Sequence, residues 1–359
     1  MSEALAPPIV PKASSRSSRL RSALFGRPAN TLLTLVGATL IVLAAPALLK
    51  WSILDAAFFP ATPETCKSAA GACWSFVIAK HSQILFGIYP FEDRWRPAVV
   101  CVGLLALLVY SLRPRAWRVH LAWSWLAMLA LVQLLMGGGI LGLTPVPTEL
   151  WGGLPITLIL TVAAIGGGFP LGVLLALGRR SGLPAVRAVS VGVIESTRAL
   201  PLLSILFIAS IMLPLLVPEA LLPDKLMRAL IALLLFAAAY IAEVVRGGLQ
   251  AIPRGQYEAA AALGLGYWAT QRRVILPQAI TLSIPALTST IIVMIKNTSL
   301  VLVVGLFDLI SSGKAALADP EWNSPAAETY IFIAAIYFAL CFGVGRFAQS
   351  LERRNKRTR

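Results

Sequence analysis

Few residues of this chain can do ionic chemistry, and their settings are unusual. Lys296 stands inside a long apolar run with no acidic residue within four positions, and Asn297, Thr298 and Ser299 follow it. An ammonium, an amide and two hydroxyls in succession offer donors and acceptors suited to the carboxylate and ammonium of an amino acid. The same residues could instead form a polar lock between helices, with Lys296 paired to Glu195. Glu195 and Arg198 are three apart, so on a helix they share a face and could pair with each other. Glu243 and Arg246 repeat that spacing near the end of their apolar run, where intrahelical pairing is the simpler reading. A charged side chain at mid-bilayer costs roughly 2.5–3.5 kcal/mol on insertion scales, so such residues are paired, wet or functional.

Other chemistries find no support. The two histidines, His81 and His120, lie far apart, and no metal-ligand spacing is present. Gly313-Lys314-Ala315 lacks the rest of a phosphate-binding loop, so nucleotide is not expected to bind through a Walker motif. No paired-carboxylate or nucleophile motif appears, which speaks against an enzyme. No catalytic residue, metal or bound cofactor is expected on this chain.

The elements that must position these residues follow from composition. Of 359 residues, 58% are hydrophobic and 13% charged, against about 25% charged in soluble proteins. Most of the chain must face lipid or other apolar helices. The expected fold is all-α and polytopic, with eight stretches long enough to span, at about 31–53, 97–112, 119–142, 152–178, 188–216, 228–248, 278–306 and 328–347. The first begins after a polar stretch and is long enough to span, unlike a cleaved leader. The net charge of +15 resides in tails and short loops. Placing both termini in the cytoplasm gathers Lys12, Arg16, Arg19, Arg21, Arg27, Arg113, Arg115, Arg118 and the Arg353–Arg359 run inside. Topology thus accounts for the charge, and nucleic acid is not expected as a partner.

The expected organisation is a basic cytoplasmic tail over 1–30, a three-span extension over 31–147 with an outside loop 54–96, a five-span core over 148–350, and a basic tail over 351–359. Cys66 and Cys73 fall in the outside loop, on the oxidising face, where a local disulfide is expected. Cys101 and Cys341 fall in apolar runs.

The segment 253–277 joins the sixth and seventh spans on the inside. Pro253 suits a helix start, Glu258 lies early enough to interact with the helix's positive end, and Ala259–Ala262 favour helix. Gly264 and Gly266 are expected to stop it, and a second helix runs to Pro277, which can open the next span. Composition alone would equally allow an amphipathic helix resting on the membrane. The spacing is more particular. Glu258-Ala259-Ala260, then Gly264 after three intervening residues, then Val274-Ile275-Leu276-Pro277 resembles the EAA signature of ABC-importer permeases, with Val274 for the usual Ile.

Further elements narrow the resemblance to the polar amino-acid permeases of the histidine/glutamine type. Lys296-Asn297-Thr298-Ser299-Leu300 resembles their Lys-(Asp/Asn)-(Thr/Ser)-Ser-Leu element, and Glu195-Ser196-Thr197-Arg198-Ala199-Leu200-Pro201-Leu202 their Glu-x-x-Arg-Gly-x-Pro-Leu element, with Ala199 for Gly. Gly152 and Thr157-Leu158 resemble the start of their core. The first three spans, with Cys66 and Cys73, resemble the extension of the general L-amino-acid permeases.

The resemblance implies a permease subunit of an ATP-driven importer for L-amino acids in the bacterial inner membrane. It implies that Glu258, Ala259, Ala260, Gly264 and Pro277 form the ATPase-coupling element. It further implies a homologous permease partner, two cytoplasmic ATPases that hold ATP and Mg, and a periplasmic binding protein. Glu195, Arg198, Lys296, Asn297, Thr298 and Ser299 are the candidates for the substrate path. Cationic-substrate members often carry Asp where this chain has Asn297, and a neutral residue there is compatible with a broader range. A secondary transporter or channel is the alternative, and it has no use for the 253–277 segment.

Overall fold

The computed structural model describes residues 16–111, 113 and 119–357. Lys12, Arg115, Arg118 and Arg359 lie outside the described residues. The described chain is all-α apart from one two-residue strand. Seven helical segments among the described residues are long and apolar enough to cross a membrane, or eight if a sharply bent pair is one span.

Short α1 (Arg16–Phe25) leads into α2 (Pro28–Leu49), which runs on as a π turn to Leu54. No residue of α2 is buried within the chain; a helix apolar all round is suited to lipid. The loop 54–96 is itself folded. It holds α3 (Pro63–Ser68) and α4 (Trp74–Phe86), and Cys66 and Cys73 are joined in a disulfide between them. Next come α5 (Trp95–Ser111) and α6 (Val119–Gly137), which pack on each other.

The core is built around α11 (Lys225–Gln250), flanked by α7 (Gly153–Arg179) and α14 (Leu276–Asn297). Small residues let these helices approach. A Cβ added at Gly172 of α7 would sit 2.8 Å from Ala238 O and 2.9 Å from Ile241 Cβ of α11. In a bilayer, where apolar side chains gain nothing by leaving lipid, such close backbone packing drives association.

The stretch expected as one span at about 188–216 is broken. α8 (Pro184–Ala199) and the run Leu202–Leu216, made of α9 (Leu202–Phe207), a π turn and α10 (Leu213–Leu216), meet at 106°. Pro201 excludes its predecessor from helical geometry, and Leu200 accordingly lies at φ −96°, ψ 139°.

After α11 the chain forms α12 (Arg254–Ala262), α13 (Tyr267–Thr270), a π turn over Gln271–Ile275, and α14. α14 tightens into a 3-10 helix over Thr298–Val304. Strand β1 (Phe307–Asp308) bridges in parallel to Gly152 and Gly153, and α15 (Leu309–Leu317) and α16 (Ala326–Arg357) complete the chain. α4 packs on α15 and α16 through Phe76, whose ring meets Trp322 edge-on at 5.3 Å. Cys73 N–H donates to the buried Glu328 carboxylate at 2.7 Å, and Lys80 pairs with Asp319 at 2.6 Å. The extension therefore closes over one end of the core.

Candidate functional site

The end of the bundle where α7 and α11 finish also carries the segment 253–277. α12 follows Pro253, which occupies the N-cap position. Its Ala260 is buried, while Gln256, Glu258 and Ala259 face outward. The helix closes as a Schellman motif. Leu265 N–H donates to Ala260 O at 3.1 Å and Gly264 N–H to Ala261 O at 2.9 Å, with Gly264 at φ +72°. Only Gly264 makes the stop; Gly266 lies at φ −67° and caps α13 instead. Glu258 is also not where the sequence placed it energetically. It is the fifth helical residue, beyond the first turn, so its interaction with the helix's positive end is weak. It forms no ion pair among the described residues. Pro277 sits in the first turn of α14 and has no N–H for the ladder, and the widened π turn over Gln271–Ile275 precedes it.

Of two arginines at the end of α7, Arg180 ties this segment to the core and Arg179 joins α7 to α8 and α11. Arg180 Nη1 donates to Leu249 O at 3.1 Å and to the Tyr257 hydroxyl of α12 at 3.2 Å, and its guanidinium lies over the Tyr257 ring. Arg179 Nη1 reaches Glu195 of α8 at 2.7 Å and Glu243 of α11 at 3.6 Å. Glu243 is further bound by Arg246 and, at 3.6 Å, by Arg198. Glu195 and Arg198 therefore do not pair with each other, and Glu195 does not reach Lys296. The cause is geometric: the bend at Pro201 sets the last turn of α8 against the ends of α7 and α11. The pair belongs to a five-residue ionic cluster beside the coupling segment. Sequence reading missed Arg179, Arg180 and Tyr257 as participants, since their partners are distant in the chain. The one available signal was a double arginine ending a span.

Lys296 and its followers lie elsewhere, where α14 passes into its 3-10 turn. Lys296 is exposed in the single chain, and Asn297 and Ser299 are partly exposed. Ser299 Oγ donates to Lys296 O at 2.8 Å. Thr298 departs from the expectation. It is 1% exposed and donates to Ile295 O at 2.8 Å, while the Tyr337 hydroxyl serves a buried carboxylate. That hydroxyl donates to Asp308 Oδ2 at 3.3 Å. Asp308 is fully buried, caps α15 through the N–H groups of Ile310 and Ser311, and its carboxyl is pushed above the usual carboxylate range by burial. The Asp308-Leu-Ile-Ser311 pattern is a cap signature readable in the sequence, though nothing in it shows the link to Tyr337.

A bundle of seven or eight candidate membrane spans, with a capped helix exposed at one end, defines a polytopic membrane protein. The model of the family described as binding-protein-dependent transport system inner membrane component matches residues 168–357. The chain is 46% identical to the inner membrane amino-acid ABC transporter permease protein YhdY of Escherichia coli, over 95% of each chain. It is 36% identical to the glutamate/glutamine/aspartate/asparagine transport system permease protein BztC of Rhodobacter capsulatus, over 94% of this chain and 93% of that one. Among solved structures it is similar to an amino acid ABC transporter with histidines, at 34% identity over 56% of this chain and 92% of that chain, with a TM-score of 0.49. The chain belongs to the family of inner membrane components of binding-protein-dependent transport systems.

Proposed function

We propose that the chain is the permease subunit of an ATP-driven importer of L-amino acids, with both termini in the cytoplasm. Its relatives carry amino-acid transport in their names. The observation that carries the reading is α12: an exposed, glycine-stopped helix inside the family-matched region, bound to the core through Arg180 and Tyr257. Glu258, Ala259, Ala260, Gly264 and Pro277 form the surface and geometry on which an ATPase docks. ATP and Mg reside on that partner, and this chain binds no cofactor and catalyses no reaction itself. A secondary transporter would leave the segment without a role.

The core over 148–350 is half of a translocation path, completed by a homologous permease carrying its own coupling helix. Two ATPases sit beneath the pair, and a binding protein delivers substrate on the face that the disulfide-bonded loop closes. Lys296, Asn297 and Ser299 present the substrate-binding groups, with Thr298 holding the turn from behind. Glu195 and Arg198 serve the cytoplasmic end instead of the substrate. Purification of the tagged chain in mild detergent tests the assembly. The reading predicts recovery of a second permease and two ATPase copies; a transport-competent complex with this chain as its single permease copy contradicts it.

A further inference from the structure

Between the end of α7 and the coupling segment lies a cavity of about 300 Å³, lined by Leu177, Arg180, Tyr257, Leu265, Thr270 and Gln271 among others. That volume is at the small end of ligand sites. Its polar groups are not those of a packing gap. Gln271 is 7% exposed, and its Oε1 has no hydrogen-bond partner. A buried acceptor left without a donor is costly, and native structures seldom keep one without a use. Gln271 also opens a π turn, a geometry that often marks functional sites. Beside it, Thr270 donates to Leu265 O and retains its own acceptor capacity.

The α7 wall supplies the opposite chemistry. Arg180 is engaged by neutral acceptors, Leu249 O and the Tyr257 hydroxyl, and forms no ion pair among the described residues. The cavity thus offers a guanidinium to an acid group and amide and hydroxyl acceptors to an N–H donor, over apolar Leu177 and Leu265. A small molecule with a carboxylate and an ammonium on one carbon satisfies both walls.

We propose that this cavity binds a free α-amino acid from the coupling-segment side, and that occupancy slows uptake. The walls belong to the end of α7 with its cap Arg180, to α12, the following link, α13 and the π turn that Gln271 opens. A ligand held between Arg180 and Gln271, against Tyr257 of α12, ties the end of α7 to the coupling helix and to the turn that follows it, and resists their movement. Uptake is thereby throttled as the product accumulates. The inference rests on reading α12 as the ATPase contact.

The test uses the whole complex in vesicles of phosphatidylcholine and phosphatidylglycerol, whose headgroups offer Gln271 no N–H donor. Vesicles carry ATP on the coupling-segment side, with or without each L-α-amino acid in turn at millimolar concentration, and initial uptake is measured. Loading with at least one amino acid should slow wild-type uptake fivefold or more. Gln271→Met should keep its uptake in unloaded vesicles and lose that inhibition, while Gln271→Glu, which keeps an acceptor, should retain it. Inhibition below twofold with every amino acid, or equal inhibition in Gln271→Met, overturns the proposal. Failure of unloaded wild-type vesicles to take up substrate contradicts the transport reading instead. Calorimetry on a Lys296→Met complex with the same amino acids gives an independent reading. A saturable heat that disappears with Gln271→Met supports the site, and its absence overturns the site whatever uptake does.

Discussion

Lys296 lies inside a span, near the end of α14, with no acidic partner among the described residues, which bears on the two roles that the sequence left open. A polar lock needed Glu195, and Glu195 is held by Arg179. Lys296→Met should therefore cut uptake at least tenfold, about 1.4 kcal/mol of lost transition-state stabilisation. Assembly and basal ATP hydrolysis should be retained, because methionine preserves length and the lysine forms no ion pair among the described residues that its loss would break. Asn297→Asp should shift preference toward cationic amino acids, since a carboxylate attracts a second positive charge. Competition uptake assays, with the amount of assembled complex measured alongside, check both. A second residue-scale prediction concerns pH. Lys80, hydrogen-bonded to Asp319, holds that carboxyl below the usual carboxylate range. A depressed folded value means that the contribution is present above the ordinary range and is lost as pH falls through the depressed one. Proteolytic nicking of loop 54–96 should rise on acidification in the native chain, and Asp319→Asn should remove that dependence. The helix, its glycine stop and the start of the next span over 253–277 were readable because their signals are local. The ionic cluster was not, because Arg179, Glu195 and Glu243 meet only once three helices are in place.

Elements carry their own tests. The turn after α12 needs a left-handed residue, a conformation that costs an L-residue with a side chain roughly 1–2 kcal/mol. Open space surrounds Gly264, so the cost there is conformational and not steric. Gly264→Val should unseat the end of α12 and uncouple ATP hydrolysis from uptake, while the thermal transition of the spans stays unchanged. Substrate-stimulated hydrolysis at the native level would contradict this. Gly172 is the opposite case, a helical glycine pressed on Ala238 and Ile241. Gly172→Leu should lower stability by about 1–3 kcal/mol through overpacking, read as loss of assembled complex in mild detergent. Span positions were legible from apolar runs, because bilayer thickness sets their length. The bend in the fifth was written in Pro201 yet passed over, since an apolar run reads the same whether straight or folded. Likewise the loop 54–96 looked merely polar and long. Its helices became visible only through Phe76 against Trp322 and Cys73 against Glu328, pairs far apart in the chain.

At the scale of the whole molecule, the chain looks built to be completed by others. α2 buries nothing within it, Lys296 is exposed in the isolated subunit, and α12 presents Glu258 and Ala259 outward. Arg180 and Tyr257 link the coupling helix to α7, and Arg179 extends that link to α8 and α11. On the proposed function, these contacts are the route by which movement of α12 reaches α7, α8 and α11. On that function, the energy arrives at α12 from a separate ATPase. The most direct test of this account is substrate uptake by the reconstituted complex with all ion gradients collapsed by ionophores. The account predicts accumulation against a concentration gradient that requires ATP on the α12 side and disappears when the partner ATPase is inactivated. Accumulation driven by an ion gradient without ATP, or surviving ATPase inactivation, would contradict it.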